Sequence, residues 1–170
     1  GGSRGARVLN SSLPHIFSNT LLKDTSFKII HIIGNSSVDI YEKIYKSLNI
    51  KADIYTFVHD IEKFYLESDL VIARSGASTC TEICAFGLPS ILIPYPYAIH
   101  DHQLKNAKVL EAAGAALVIN ERELKNNELA NYIYSLINSP EDLLTQSNAA
   151  KSIFKEHGSN FLSDLIESFS

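Results

Sequence analysis

The stretch LVIARSGASTCTEICAFGLPSILIP, residues 70–94, decides the fold. It opens on four apolar residues, 70–73, and turns at Gly76 among small and hydroxyl-bearing neighbours. A helical pattern then runs over 79–86, breaks at Gly87-Leu88-Pro89, and gives way to a second apolar run at 90–93. A strand, a glycine turn, a helix and another strand in this order make a crossover unit, in which the helix carries the chain back so that the two strands lie parallel. Both strands are almost continuously apolar, as strands buried on both faces are.

The same alternation extends outward in both directions. Further strands are predicted at 27–33, 52–57 and 116–119, and further helices at 6–22, 38–48, 61–67 and 102–113. Beyond Asn120 the pattern turns wholly helical, over 123–137, 141–154 and 160–168, with Ser139-Pro140 and His157-Gly158 as the breaks. The fold class is therefore α/β: a doubly wound, Rossmann-like parallel sheet with helices on both faces and a helical C-terminal tail. In such a sheet the loops that follow the strands gather on one rim, where ligands bind.

Composition narrows the function. The 170 residues and 18.8 kDa suit one domain, and 45% hydrophobic against 20% charged residues can bury a core. A net charge of -4 and a pI near 5.8 argue against a dedicated nucleic-acid binder, so any anion must be held locally. No apolar run is long enough to cross a bilayer and no leader pattern opens the chain, so membrane spanning and signal-driven export are not expected. Cys80 and Cys84, four apart, are expected as reduced core thiols on one helix face. The chain lacks methionine and begins Gly-Gly-Ser, which reads as a piece of a longer protein whose preceding strand and domain lie upstream.

Three unusual segments fall on the rim. Gly1-Gly2-Ser3-Arg4-Gly5-Ala6 opens a helix, where small residues and free N–H groups suit an anion; the spacing is neither a dinucleotide fingerprint nor a Walker loop. Arg74 to Glu82 provides a second helix start. Thr79 and Glu82 there fit a capping box, while Glu82 equally suits the vicinal hydroxyls of a ribose. The third is PYPYAIHDHQLKN, residues 94–106, in which Asp101 is placed to cap the helix carrying Gln103 and Asn106. His100-Asp101-His102 lacks a third and fourth ligand, so no metal is assigned. Ser3 and Ser75 lack the nucleophile-elbow pattern and a histidine partner, which sets aside a serine hydrolase. Tyr41, Tyr45, Phe64 and Tyr65 stand at helical spacings as core or core-edge residues.

Taken together, GGSRGARVLN (1–10), TFVHDI (56–61), RSGASTCTEICAFGLPSILIPYP (74–96) and DHQLKNA (101–107) resemble the C-terminal domain of the MurG family, the peptidoglycan N-acetylglucosaminyltransferases, over essentially the whole chain. The resemblance implies half of a B-type glycosyltransferase fold that binds UDP-N-acetylglucosamine. By matching position, Gly2, Ser3 and Gly5 would meet the diphosphate, and the Val58 backbone the uracil edge. Ala77, Ser78 and Thr79 would donate to phosphate, Glu82 would take the ribose, and His102 and Gln103 the sugar hydroxyls. The family often has two glutamines at 102–103, and Arg4 stands at a position that varies within it.

What the resemblance further implies is a parent enzyme that moves N-acetylglucosamine to lipid I, forming lipid II, with inversion and without cofactor or metal. Its acceptor domain and catalytic base would lie upstream, leaving the isolated piece inactive. It would work peripherally on the cytoplasmic face of the bacterial membrane, without nucleic acid. A different UDP-sugar glycolipid transferase, or a nucleotide-binding module that needs a partner domain, are the competing readings; a dehydrogenase lacks its glycine fingerprint.

Overall fold

The computed structural model describes residues 6–125 and 127–157. Helix α1 (Ala6–Phe17) leads through a single 3-10 turn at Thr20–Leu22 to strand β1 (Ile29–Ile32). There follow α2 (Val38–Ser47), β2 (Ala52–Tyr55), α3 (Ile61–Leu66), β3 (Val71–Ala73), α4 (Ala77–Phe86) and β4 (Ser90–Leu92). After these come α5 (His102–Ala112), β5 (Ala116–Val118), α6 (Glu128–Ile137) and α7 (Pro140–His157).

Every pairing between these strands is parallel. The ladders form two groups, β1 with β2 (Ile29 opposite Ala52) and β3-β4-β5 (Val71 opposite Ser90, and Ser90 opposite Ala116). The strand period of two sorts the core of the larger group into layers. Val71, Leu92, Ala116 and Val118 face the cluster formed with α4, α5 and α7, whereas Ile72, Ile91, Ile93, Leu117 and Ile119 face the one formed with α1 and α6. Helices therefore cover both faces, as the apolar strands predicted. A third cluster, Ile29, Ile33, Tyr41 and Tyr45, seats α2 on the smaller group, and Phe17 and Phe27 belong to its border and to that of the α1–α6 layer.

Cys80 and Cys84 are fully buried in the first layer, and burial pushes both thiols up to about 12. Tyr41, Tyr45 and Tyr65 are buried too, with Phe64 half-buried.

Several element boundaries differ from the sequence reading, each for a local reason. The first helix stops at Phe17 because Asn19 Oδ1 accepts the Leu21 N–H and starts the 3-10 turn. The helix predicted over 123–137 is a 3-10 turn at Glu121–Lys125 followed by α6. There, Glu123 folds back on the Asn120 N–H at 2.7 Å and closes the end of β5. Pro140 opens α7 at a position where its missing N–H costs nothing. The helix expected at 160–168 lies outside the described residues. Gly87 ends α4 in the left-handed region (φ 63), with the Leu88 N–H returning to the Ile83 carbonyl, the C-terminal motif that glycine favours.

Candidate functional site

The site begins where β3 hands over to α4. Gly76 is extended (φ -63, ψ 151) and Ala77 is already helical, so the first bond of the helix runs from the Cys80 N–H to the Gly76 carbonyl. The N–H groups of Ala77, Ser78 and Thr79 consequently have no intrahelical acceptor and face outward with the positive end of the helix dipole. Ala77 and Ser78 are exposed and Thr79 half-buried, open to an anion at the rim. The capping box expected between Thr79 and Glu82 is not formed. The helix starts three residues earlier than a Thr79 cap requires, so that Thr79 sits inside the first turn, and Gly76 caps by backbone alone.

Glu82 instead turns toward α3, where its Oε2 accepts the Tyr65 hydroxyl at 2.8 Å. Val58 is half-buried in the connection from β2 to α3, so the segment expected at the base and the carboxylate expected at the ribose belong to elements joined by this bond.

The start of α5 is stitched to the start of α4. The Ser75 hydroxyl, fully buried, donates to the Gln103 carbonyl at 2.7 Å, and Asn106 Nδ2 donates back to the Ser75 carbonyl at 3.0 Å. Gln103 Oε1 accepts the Tyr95 N–H at 2.9 Å, which commits the amide oxygen and leaves its NH2 as the donor toward a ligand. His102 is exposed beside it. Asp101 does precede α5, yet its side chain makes no capping bond. Its backbone is left-handed (φ 56), as is that of His100 (φ 52), whereas a capping side chain ordinarily departs from an extended residue. Two consecutive left-handed residues without glycine are costly and concentrate strain at this loop.

Two contributors were not singled out from sequence. Asn106, 4% exposed, stands one helical turn from Gln103, and that spacing is the signal the sequence carries for it. Arg74 is 5% exposed, donates to the carbonyls of Ile93 and Pro94, pairs with Glu121, and lies 5.5 Å from the centre of the Tyr95 ring. It pins the ends of three strands beneath the rim. Its charge is matched inside by Glu121, and the α4 N-terminus adds the positive end of its helix dipole at this edge.

Gly2, Ser3 and Gly5 lie outside the described residues. Among the described residues no three His, Cys, Asp or Glu side chains converge as metal ligands; the His100 and His102 rings stand 6.1 Å apart. A concavity of about 370 Å³ opens away from the rim, between α3, the end of α4 and the start of α7, and is lined by Leu66, Phe86 and Leu143. Its lining also includes Ser68, Asp69 and Ser147, but it lies away from the strand-end loops, which remain the better candidate site.

The geometry defines a doubly wound α/β domain with two helix starts joined at its rim. The sequence matches the glycosyltransferase family 28 C-terminal domain over residues 1–162, and the chain belongs to that family. It is 37% identical to the UDP-N-acetylglucosamine--N-acetylmuramyl-(pentapeptide) pyrophosphoryl-undecaprenol N-acetylglucosamine transferase of Hahella chejuensis, covering 91% of this chain and 43% of that protein. It is 38% identical to the protein of the same name from Agrobacterium fabrum, covering 98% and 44%. A crystal structure of Acinetobacter baumannii MurG superposes with a TM-score of 0.78 at 29% identity, covering 99% of this chain and 47% of that one. The kitacinnamycin glycotransferase shares the fold, with a TM-score of 0.63 at 16% identity. The chain thus spans about half the length of the relatives it matches.

Proposed function

We propose that this chain is the donor-binding half of an enzyme that transfers N-acetylglucosamine from UDP-N-acetylglucosamine to lipid I, forming lipid II with inversion at the anomeric carbon. The observation that carries the reading is the pair of helix starts joined through Ser75. One presents N–H groups without an intrahelical acceptor, suited to a diphosphate, and the other presents the amide of Gln103 with His102, suited to sugar hydroxyls, on a frame that the buried Asn106 fastens to Ser75. The names of the relatives supply the substrate class.

In a single displacement, the acceptor hydroxyl attacks the anomeric carbon and UDP departs with the bonding electrons. Negative charge grows on the diphosphate as that bond breaks. Fixed N–H groups at Ala77, Ser78 and Thr79 stabilise this charge more strongly in the transition state than in the ground state, which is where stabilisation accelerates a reaction. Gly2, Ser3 and Gly5 would add a second set of donors. Glu82 accepts the ribose hydroxyls, the Val58 backbone reads the uracil edge, and His102 and Gln103 hold the sugar. The acceptor and the base that takes its proton belong to an upstream domain, which also meets the cytoplasmic face of the membrane. No described helix is long and apolar enough to cross one.

Calorimetric titration with UDP-N-acetylglucosamine, UDP-glucose and NAD tests the reading. Saturable binding of the first, weaker binding of the second and none of the third are expected. Glu82→Ala should weaken UDP-N-acetylglucosamine about tenfold, the scale of hydrogen bonds to a charged acceptor. A folded chain that prefers NAD, or that binds equally well after Glu82→Ala, overturns it.

A further inference from the structure

We propose that Tyr65 is a positioning residue for Glu82, holding one carboxylate oxygen so that the other is presented to the ribose of a uridine nucleotide. The inference rests on the donor-site reading above and adds to it a residue that touches no substrate.

The two residues come from different elements. Tyr65 lies in the last turn of α3 and Glu82 in the second turn of α4. The Tyr65 ring is 9% exposed, packs 5.5 Å from that of Phe86, and belongs to the cluster containing Cys80, Ile83 and Cys84. Its hydroxyl thus leaves the core in one direction, toward Glu82 Oε2 at 2.8 Å. Burial, followed by the bond to Glu82, raises the phenol above its ordinary pKa, so it stays protonated and can only be the donor in this pair.

A half-buried glutamate with no fixed partner still samples several rotamers, and ordering it on binding costs about 1 kcal/mol or more. Here the phenol makes that selection before the ligand arrives. The bond is of the charge-assisted kind, stronger than one between neutral groups. Glu82 Oε1 has no partner among the described residues, so one oxygen is committed and the other is available. Because α3 starts at Ile61, three residues after Val58, the same phenol ties the segment assigned to the base against the helix that bears the ribose carboxylate.

The test is titration of the 170-residue chain with UDP and with 2′,3′-dideoxy-UDP, using wild type, Tyr65→Phe, Glu82→Ala and the double variant. Tyr65→Phe keeps the ring that the core packs, and a thermal melt confirms the fold. Phe86→Leu serves as a control that loosens the ring without touching the hydroxyl. Tyr65→Phe is expected to weaken UDP about tenfold, to leave the dideoxy analogue within about twofold, and to add nothing in the Glu82→Ala background. Phe86→Leu is expected to lower the melting temperature while keeping the ratio between the two nucleotides. An equal loss of both nucleotides in Tyr65→Phe overturns the proposal in favour of a packing role. Unchanged UDP affinity in Tyr65→Phe, with Glu82→Ala impaired, overturns it and leaves the donor reading standing. If Glu82→Ala binds UDP as wild type does, or wild type binds no UDP, the donor reading itself falls and takes this inference with it.

Discussion

Acid should destabilise this chain through His31, and the amount follows from its surroundings. The imidazole is 5% exposed, and both ring nitrogens are engaged. Asn10 Nδ2 donates to the Ile33 carbonyl, so Asn10 Oδ1 faces Nε2 as an acceptor at 3.2 Å, and Nε2 carries the hydrogen. Nδ1 then accepts the Tyr45 hydroxyl at 3.0 Å. A second proton would have to enter at Nδ1, against that hydroxyl, and bring a charge among Ile29, Ile33 and Tyr41. Burial accordingly lowers the His31 pKa from 6.5 to about 4. The unfolded chain takes up this proton below about pH 6.5, whereas the folded chain takes it up only below about pH 4. The full stability is therefore present above pH 6.5 and is lost as the pH falls toward 4. At ~1.4 kcal/mol per pH unit the whole interval amounts to about 3 kcal/mol, and the part between pH 6 and 4.5 to about 2. Urea unfolding of wild type and His31→Gln at several values in that range isolates the effect from the carboxylates common to both. The stability of wild type relative to the variant should fall by about 2 kcal/mol as the pH drops from 6 to 4.5. A difference that stays constant would refute the reasoning.

Three further outcomes are expected. Arg74→Met should cost about 3 kcal/mol in denaturant unfolding by stranding the Glu121 carboxylate, and Arg74→Met with Glu121→Gln should recover part of it. Gly87→Ala should lower stability by about 1 kcal/mol or more, since φ is 63 and the added methyl meets the Lys151 side chain; Lys151→Ala should relieve only the contact. Cys80 and Cys84, with thiols pushed up to about 12, should be silent to Ellman's reagent at pH 8 in the folded chain and react in urea. Fast labelling of the native protein would contradict that burial.

Strands and helices were legible in the sequence because most of them carry their own periodicity. The apolar runs at 70–73 and 90–93 are unmistakable, and Gly76 and Gly87 punctuate them. What the periodicity does not encode is capping. Thr79 and Glu82 have the spacing of a capping box, yet Gly76 lets the helix begin at Ala77, and a phenol far off in sequence takes the carboxylate. Asn120 and Glu123 have the same separation and do fold back on one another, at the entry to the stretch predicted as helix from 123, where the structure has a 3-10 turn. The candidate site could be proposed from its exposed loops, whereas its supports were obscure. Arg74, Ser75 and Asn106 act through partners 19 to 47 residues distant, and no local pattern announces such a bond.

The buried Ser75 hydroxyl has a bearing on redesign. It has room for only a small group and joins two helix starts through one residue's side chain and carbonyl. Grafting the 101–106 segment of another member would transplant one half of a clasp. Ser75 and Asn106 form the pair that must travel together, and because the partner at 103 is a backbone carbonyl, libraries that vary 102 and 103 while holding 75 and 106 constant retain the frame.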